Sequence, residues 1–139
     1  MSPPLIQAVK SEEREDCLTI IDCPPGTSCP MIVTVRDADF VLLVTEPTPF
    51  GLHDLKLAVE TVRELQRPFA VIINRADAGD DRVEQYCRDE NINVLLRIPE
   101  TRIAAEASSR GETILSVFPH LQEELRAMLG KIESMVEGQ

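Results

Sequence analysis

One segment carries most of the information in this sequence: Ile20-Ile21-Asp22-Cys23-Pro24-Pro25-Gly26-Thr27. The apolar run 18–21 ends in an acidic residue, and a Pro-Pro-Gly turn follows shortly after it. A strand that is buried on both faces of a parallel sheet reads as such a continuous apolar run. An acid at the carboxyl end of that strand lies where open α/β sheets bind ligands. The segment therefore predicts a buried strand over 18–22 that presents Asp22 to a ligand.

The composition is typical of a globular domain and excludes some partners. The 139 residues are 43% apolar and 27% charged, which predicts one domain over 1–139 with a real core. The formal net charge of −10 disfavours binding to nucleic acid or to anionic membranes. No apolar run approaches the ~20 residues of a membrane helix, and residues 2–7 lack a secretory hydrophobic region. We expect a cytoplasmic protein with reduced thiols.

The chain alternates predicted strands with predicted helices. Four apolar runs separated by helical patterns indicate an α/β fold with a parallel sheet. The predicted strands are 18–22, 40–45, 69–74 and 93–98. The predicted helices cover 5–15, 30–36, 51–66, a segment capped by Asp80 or Asp81, 102–110 and a last helix from about Pro119. Ligands then gather at the carboxyl ends of the strands, where Asp22, Glu46, Asn74 and Pro99-Glu100 lie.

The segment around Asp22 suits phosphate chemistry. A carboxylate at this position can hold a water of the Mg²⁺ shell, because Mg²⁺ keeps several waters. Gly26 can offer its backbone N–H to a terminal phosphate, and Thr27 can orient a nucleophilic water. The alternative is a capped turn in which Asp22 accepts hydrogen bonds from backbone amides.

Two further strand ends suit a nucleobase. The side chain of Asn74 carries both donors and an acceptor, so it can read the edge of an adenine. The alternative is an Asx turn that ends the strand. Arg75 follows directly, and the backbone of Pro99-Glu100 can line the same pocket.

The four cysteines show no metal-binding spacing. The sequence contains no C-x-x-C pair among its cysteines, which are Cys17, Cys23, Cys29 and Cys87. The simplest interpretation is that they are buried thiols that pack as small apolar residues. Cys29 differs because it follows the glycine turn at the start of a predicted helix, where a thiolate is favoured. We therefore expect Cys29 to be the most reachable thiol and a candidate metal ligand. A metal-carrier role for Cys23 and Cys29, bridging two subunits, is an alternative function.

Taken in order, these residues resemble the MinD/ParA class of P-loop ATPases. The resemblance covers about residues 18–118, and two long stretches around Asp22 and Glu46 are closer still to the branch with an inserted ferredoxin domain, whose members bind iron–sulfur clusters. The matching segments are Ile20 to Gly26, Val44-Thr45-Glu46-Pro47-Thr48, Ile72-Ile73-Asn74-Arg75 and Ile98-Pro99-Glu100.

The resemblance implies a fold and a set of roles. The fold is a doubly wound, three-layer parallel α/β sheet. Asp22 corresponds to the aspartate that organises Mg²⁺, Gly26 to the switch glycine and Asn74 to the asparagine that reads adenine. Pro99-Glu100 corresponds to the segment that closes over the base. Glu46-Pro47-Thr48 resembles a segment near the interface of the family's nucleotide-sandwich dimer.

One family motif is missing from this sequence. A phosphate-binding loop needs two glycines that flank four residues, followed by Lys and then Ser or Thr. The only Gly-Lys pair is Gly130-Lys131, which is followed by Ile132 and has Leu125 where the first glycine belongs. The chain is therefore interpreted as the carboxyl-terminal part of such an ATPase. The parent would bind ATP or ADP with Mg²⁺ and an iron–sulfur cluster in the inserted domain, whereas this part alone needs no cofactor and is inactive.

The absent loop also bears on partners. In the family fold, its strand lies between the strand that ends at Asp22 and the strand that ends at Thr45. Two apolar strand edges would be left without a neighbour, and exposed edges recruit other chains. We expect self-association, or else direct pairing of the two strands. A redox or iron–sulfur protein is a further expected partner, and a non-catalytic interaction module is the alternative function.

Overall fold

The computed structural model describes residues 8, 10–12, 17–23, 26 and 29–138. Strands and helices alternate through most of this part of the chain, as the sequence predicts. In order they are α1 (Cys29–Val35), β1 (Val41–Thr45), α2 (Pro49–Glu64), β2 (Phe69–Asn74), α3 (Arg82–Asp89), β3 (Val94–Ile98), α4 (Arg102–Ser109), α5 (Ile114–Val117) and α6 (Leu121–Glu137).

The three strands form a parallel sheet in the order β1-β2-β3. Val41 pairs with Phe69 and Thr45 with Ile73, and at the far end Asn74 pairs with Ile98. The ladder between β2 and β3 is irregular between Val71 and Ile72. Because all three strands run the same way, their carboxyl ends meet at one edge of the sheet.

Helices cover both faces of the sheet, which gives three layers. Successive residues of the central strand β2 point to opposite faces. Val71 and Ile73 pack into a core with α1, α2 and α3, whereas Ile72 packs with Leu121 and Met128 of α6. Residues 70–73 are all buried, which explains why β2 reads as a continuous apolar run. The predicted doubly wound α/β architecture is confirmed.

Local capping explains where the helices begin. The N–H of Gly51 donates to the Thr48 hydroxyl at 2.9 Å, and Pro49 occupies the first turn of α2. Of the two predicted caps of α3, the Asp80 carboxylate accepts from the Arg82 N–H at 3.0 Å. The Asp81 side chain makes no capping bond.

The predicted strand at 18–22 is wrong. Residues 18–23 form no strand in the structure, so three parallel strands replace the expected four, and 18–22 does not pair with β1. Leu18 and Ile20 are 68% and 82% exposed. The physical reason is that a strand persists through hydrogen bonds to a neighbouring strand, and none lies beside this segment in the described part of the chain. The helix predicted over 5–15 lies mostly outside the described residues.

Strand β1 is an edge strand of the described sheet. Within the described residues, no strand pairs with β1 on the side away from β2. Val41, Leu43 and Thr45 point into the larger core, but Val44 points the other way and is 63% exposed.

None of the described helices is long and apolar enough to cross a membrane.

Candidate ligand site at the carboxyl ends of the strands

Three loops meet where the strands end. Residues 46–48 follow β1, residues 75–81 follow β2 and residues 99–101 follow β3. Ligands of open α/β sheets bind at this edge, because loops from different strands converge there around open space. Three of the predicted site segments lie on these loops, and Asn74 is the last residue of β2 beside them; the three are Glu46-Pro47-Thr48, Arg75 and Pro99-Glu100.

A single guanidinium links all three loops. Arg75 Nε donates to Glu100 Oε1 at 2.9 Å, and Nη2 contacts the same oxygen. Arg75 Nη1 lies 3.4 Å from Glu46 Oε2. Hydrogen bonding to Glu100, followed by the charges of Glu100 and Glu46, raises the pKa of Arg75. The three side chains are about half exposed, so the ion pairs order the loops more than they stabilise the fold.

The loops after β2 and β3 are also joined through backbone groups. The N–H of Glu100 donates to Asp77 Oδ1 at 2.6 Å, and the N–H of Ala76 donates to the carbonyl of Ile98 at 2.9 Å. Arg75 itself has φ of 52°, in the left-handed region, so regular strand geometry ends at this residue. The Pro99-Glu100 segment is therefore held beside the loop that carries Arg75.

The loop after β1 sits tightly against the loop after β2. The N–H of Asp80 donates to the carbonyl oxygen of Pro47 at 3.2 Å, and a Cβ on Gly79 would lie 1.7 Å from that oxygen. Pro47 is buried, Glu46 is held by Arg75 and Thr48 caps α2. These residues form the frame of the site. Their part in a dimer interface stays a prediction.

Asn74 is a polar residue at this edge whose side chain is available to a ligand. Its side chain is half buried, and no hydrogen bond joins it to any residue that the structure describes. The Asx turn, which needs a bond from this side chain to the following backbone, is therefore not formed within the described residues. An amide in this state can donate and accept at once, as the edge of a nucleobase requires.

Residues around Asp22 are placed differently from the expectation. Asp22 is exposed, so the carboxylate buried at the end of a strand is wrong, for the reason given for 18–22. Gly26 has φ of 95°, a conformation that favours glycine, and nothing lies near its would-be Cβ. Thr27 lies outside the described residues. A shared cleft for Asp22, Gly26 and Asn74 stays a prediction.

The thiols have distinct environments. Cys17 and Cys29 are exposed. Cys23 is half buried, and burial raises the pKa of its thiol, opposed in part by a hydrogen bond with Thr34. Cys87 is buried, and burial together with the nearby charge of Glu84 raises its pKa to about 11. Among the residues that the structure describes, no group of three His, Cys, Asp or Glu side chains is placed to hold a metal ion.

We expect alkylation to separate these thiols. Cys29 and Cys17 should react with iodoacetamide first, Cys23 more slowly, and Cys87 only after unfolding. At pH 8 a thiol with a pKa of about 11 is ionised in about one molecule in a thousand, and it is also shielded by the core. Peptide mapping by mass spectrometry, with a urea-unfolded sample as control, checks the order. Labelling of Cys87 in the folded protein at the rate of Cys29 would contradict it.

Some residues of this edge are not singled out by the sequence interpretation. Arg75 is predicted there as a ligand-binding residue, but its double ion pair is not foreseen. Asp77 and Gly79 are not named at all. A signal for the ion pair exists, because Glu46 and Glu100 each follow a strand and Arg75 follows the strand between them. The close approach of Gly79 to Pro47 leaves no such pattern.

Comparison with known proteins supports the class of protein that the sequence resembles. No family model matches the chain. An uncharacterized protein of Methanocaldococcus jannaschii is 33% identical over 98 residues, which cover 70% of this chain and 33% of that protein. An iron-sulfur cluster carrier protein of the same organism is 25% identical over 135 residues, or 86% of this chain and 47% of its own length. The corresponding carrier protein of Aquifex aeolicus is 29% identical over 115 residues, or 72% and 32%.

A solved structure shows the same fold. The crystal structure of a ParA family ATPase from Chlorobium tepidum superimposes with a TM-score of 0.53 at 22% identity, over 66% of this chain and 40% of that one. Fold and relatives together show a partial resemblance to the MinD/ParA class of P-loop ATPases. The chain spans about a third to about a half of the length of these curated relatives.

Proposed function

We propose that this chain supplies the base-binding part of the adenine-nucleotide site of a MinD/ParA-like ATPase. The observation that carries the proposal is the unpaired amide of Asn74, half buried between the loops that Arg75 ties together. Asn74 would read the adenine edge, and Pro99-Glu100 would close over the ring. The ion pairs of Arg75 hold both segments in place before the base arrives, which lowers the ordering cost of binding.

The phosphate end of the site would draw on the segment around Asp22. The exposed carboxylate suits contact with Mg²⁺ through a metal-bound water, because the described residues offer no cluster of acids for direct ligation. The bound metal would neutralise phosphate charge. Gly26 is free to approach a terminal phosphate with its backbone N–H, and Thr27 would orient the attacking water. The 139 residues contain no phosphate-binding loop, so most anion contacts are missing from this chain.

The names of several relatives suggest the process. Iron-sulfur cluster carrier proteins from three genera match most of this chain, and we propose that the intact ATPase couples nucleotide hydrolysis to iron–sulfur or redox work. A redox or iron–sulfur protein would then be a partner. A metal-carrier role of Cys23 and Cys29 would need thiols from two subunits, and iron analysis of the purified protein tests it.

The adenine proposal is tested with a ligand that needs few phosphate contacts. In ¹H–¹⁵N spectra, AMP at millimolar concentration should shift the signals of Asn74, Arg75 and Glu100, and GMP should not. Asn74→Ala should weaken AMP binding about tenfold, since two hydrogen bonds are lost. Calorimetry with Mg·ATP should show no micromolar binding, because the phosphate contacts are absent.

Asn93→Ala is the matched control for Asn74→Ala. Asn93 is an exposed asparagine just before the amino end of β3, whereas the candidate site lies at the carboxyl ends of the strands. This variant should therefore bind AMP like the original protein. Equal shifts with GMP, or AMP shifts that avoid the three strand ends, would overturn the adenine assignment. Micromolar ATP binding would reveal a phosphate site elsewhere.

A non-catalytic interaction module is the second candidate function. The observations that favour it are the exposed side chains of Val44 on β1 and Phe50 at the start of α2, together with the lack of a strand partner for β1 on its outer side among the described residues. The AMP titration separates the two, because an interaction module has no reason to distinguish adenine from guanine.

A further inference from the structure

A cleft of about 350 Å³ lies at the amino ends of the strands. Phe40 precedes β1, Phe69 begins β2 and Asn93 precedes β3, so the cleft is at the edge of the sheet opposite the candidate ligand site. Its volume is within the range of small-molecule sites. We name this space the amino-end cleft, and its lining residues are Phe40, Arg67, Pro68, Phe69, Asn93 and Met135.

The lining of the amino-end cleft is mainly apolar. Phe40, Phe69 and Met135 are half buried, so part of each side chain remains open to a ligand. Small-molecule sites combine such apolar walls with a few polar groups that fix the orientation of the ligand. In this cleft the polar side chains are those of Arg67 and Asn93.

The guanidinium of Arg67 is incompletely satisfied. Its Nε is buried, and none of the described residues accepts a hydrogen bond from it. Nη1 lies 3.5 Å from the carbonyl oxygen of Ala38, which is long for a hydrogen bond. The described part of the chain also contains no ion pair of Arg67. A buried donor without an acceptor is costly, so an acceptor that binds here removes that cost.

The charges beside the cleft favour an anion. Asp37 is already paired, because its Oδ2 accepts from Lys10 Nζ at 3.0 Å. The hydrogen bond and the charge of Lys10 lower the pKa of Asp37, and the charges of Arg36 and Arg67 lower it further. With Asp39, two acids stand against three cations in this region, whereas acids outnumber bases by 24 to 14 in the whole chain.

We propose that the amino-end cleft binds a small organic acid whose carboxylate is attached to a flat apolar body. The carboxylate pairs with the guanidinium of Arg67, whose planar N–H groups match its two oxygens. A small turn of the side chain then gives the buried Nε an acceptor. The apolar body lies against Phe40, Phe69 and Met135. A phosphate fits less well, because its further oxygens would face apolar walls.

Titration with sodium 2-naphthoate, followed in ¹H–¹⁵N spectra, tests the site. The signals of Phe40, Arg67 and Phe69 should shift with a Kd on the order of 1 mM, and those of Asn74 and Glu100 should not. The neutral 2-naphthamide should bind at least tenfold more weakly, because it forms no charge-assisted pair. Acetate should also bind more weakly, because it leaves the apolar walls uncovered.

Substitution of Arg67 tests the charged contact. Arg67→Gln removes the charge and should weaken naphthoate binding about tenfold. Arg67→Lys keeps the charge but loses the planar pairing, so its loss should be smaller. Arg102→Gln is the matched control, because the side chain of Arg102 is 91% exposed at the start of α4 and does not line the cleft. It should bind naphthoate like the original chain.

A pair of variants at Met135 tests the apolar wall. Met135→Glu and Met135→Gln introduce side chains of nearly the same shape, and both suit a helix. The carboxylate of the Glu variant repels the acid, so this variant should bind naphthoate about threefold or more weakly than the Gln variant. The two variants should bind the neutral 2-naphthamide equally. A purely structural effect of Met135 would not separate the two ligands.

Three results would overturn the proposal. They are no shift around the cleft at about 10 mM naphthoate, naphthamide binding as tight as naphthoate, or equal naphthoate binding by the two Met135 variants. Unchanged binding by a folded Arg67→Gln variant, as judged by circular dichroism, would also contradict it. The measurements use no nucleotide, and they stand whether or not AMP binds at Asn74.

Discussion

Gly79→Ala should lower the free energy of unfolding by about 3 kcal/mol, a large part of the stability of a small domain. The new Cβ would lie 1.7 Å from the carbonyl oxygen of Pro47 and 2.7 Å from its carbonyl carbon. Both atoms belong to a buried backbone, and the neighbouring Asp80 N–H donates to the same oxygen. The loops after β1 and β2 must therefore separate to admit one methyl group. Urea unfolding followed by circular dichroism measures the loss.

Gly130→Ala is the same chemical change, but we expect it to raise the free energy of unfolding instead of lowering it. Gly130 lies inside α6 with nothing within 4 Å of its would-be Cβ. Alanine should raise the free energy of unfolding by about 0.5–1 kcal/mol, because glycine is the poorer helix residue. If Gly79→Ala were as stable as Gly130→Ala, the close approach of the two loops would be wrong.

Ile73→Ala should cost about 3–4 kcal/mol of unfolding free energy. Ile73 is 1% exposed on the central strand, where it packs into the larger core. The truncation removes apolar contacts and leaves a cavity in the larger core, directly before Asn74 in the chain. Chemical unfolding should show a lower midpoint with an unchanged slope, since the surface exposed on unfolding stays the same.

Ile103→Ala is the comparison for Ile73→Ala. Ile103 is 65% exposed, so its loss should change stability by less than about 0.5 kcal/mol. Equal effects at the two isoleucines would mean that β2 is not the centre of the sheet.

The elements between residues 29 and 137 could be predicted because their signals are local. The continuous apolar run at 69–74 becomes the buried strand β2, and the periodic apolar positions of 51–66 become the inner side of α2. Capping residues also act over a few positions, as Thr48 and Asp80 do. The observed bounds differ from the predicted ones by about two residues at most, and the short helix α5 at 114–117 is an element that the sequence interpretation did not predict.

The strand at 18–22 could not be judged from its own residues. Its apolar run has the composition of a buried strand, but composition supplies no hydrogen-bonding neighbour. The structure leaves Leu18 and Ile20 largely exposed because the sheet stops at β1. Whether such a run becomes a strand is decided by residues far away along the chain.

The candidate site was predictable in place more than in detail. Parallel topology brings Glu46, Asn74 and Pro99-Glu100 to one edge, as the order of strands and helices implies. The double ion pair of Arg75 depends on side-chain reach across three loops. The contact of Gly79 with Pro47 depends on how closely two backbones approach, and no periodicity records that distance.

The lateral edge of β1 bears on the colloidal behaviour of the protein. Its backbone N–H and C=O groups that face away from β2 have no strand partner among the described residues, and such groups offer a template for further strands, which is the usual first step towards precipitation. The charge of −10 carried by every copy is the force that keeps such edges apart. Salt shortens the range of that force from about 10 Å at 0.1 M to about 3 Å at 1 M. Ionic strength is thus a control on whether molecules of this chain remain dispersed or stack through β1.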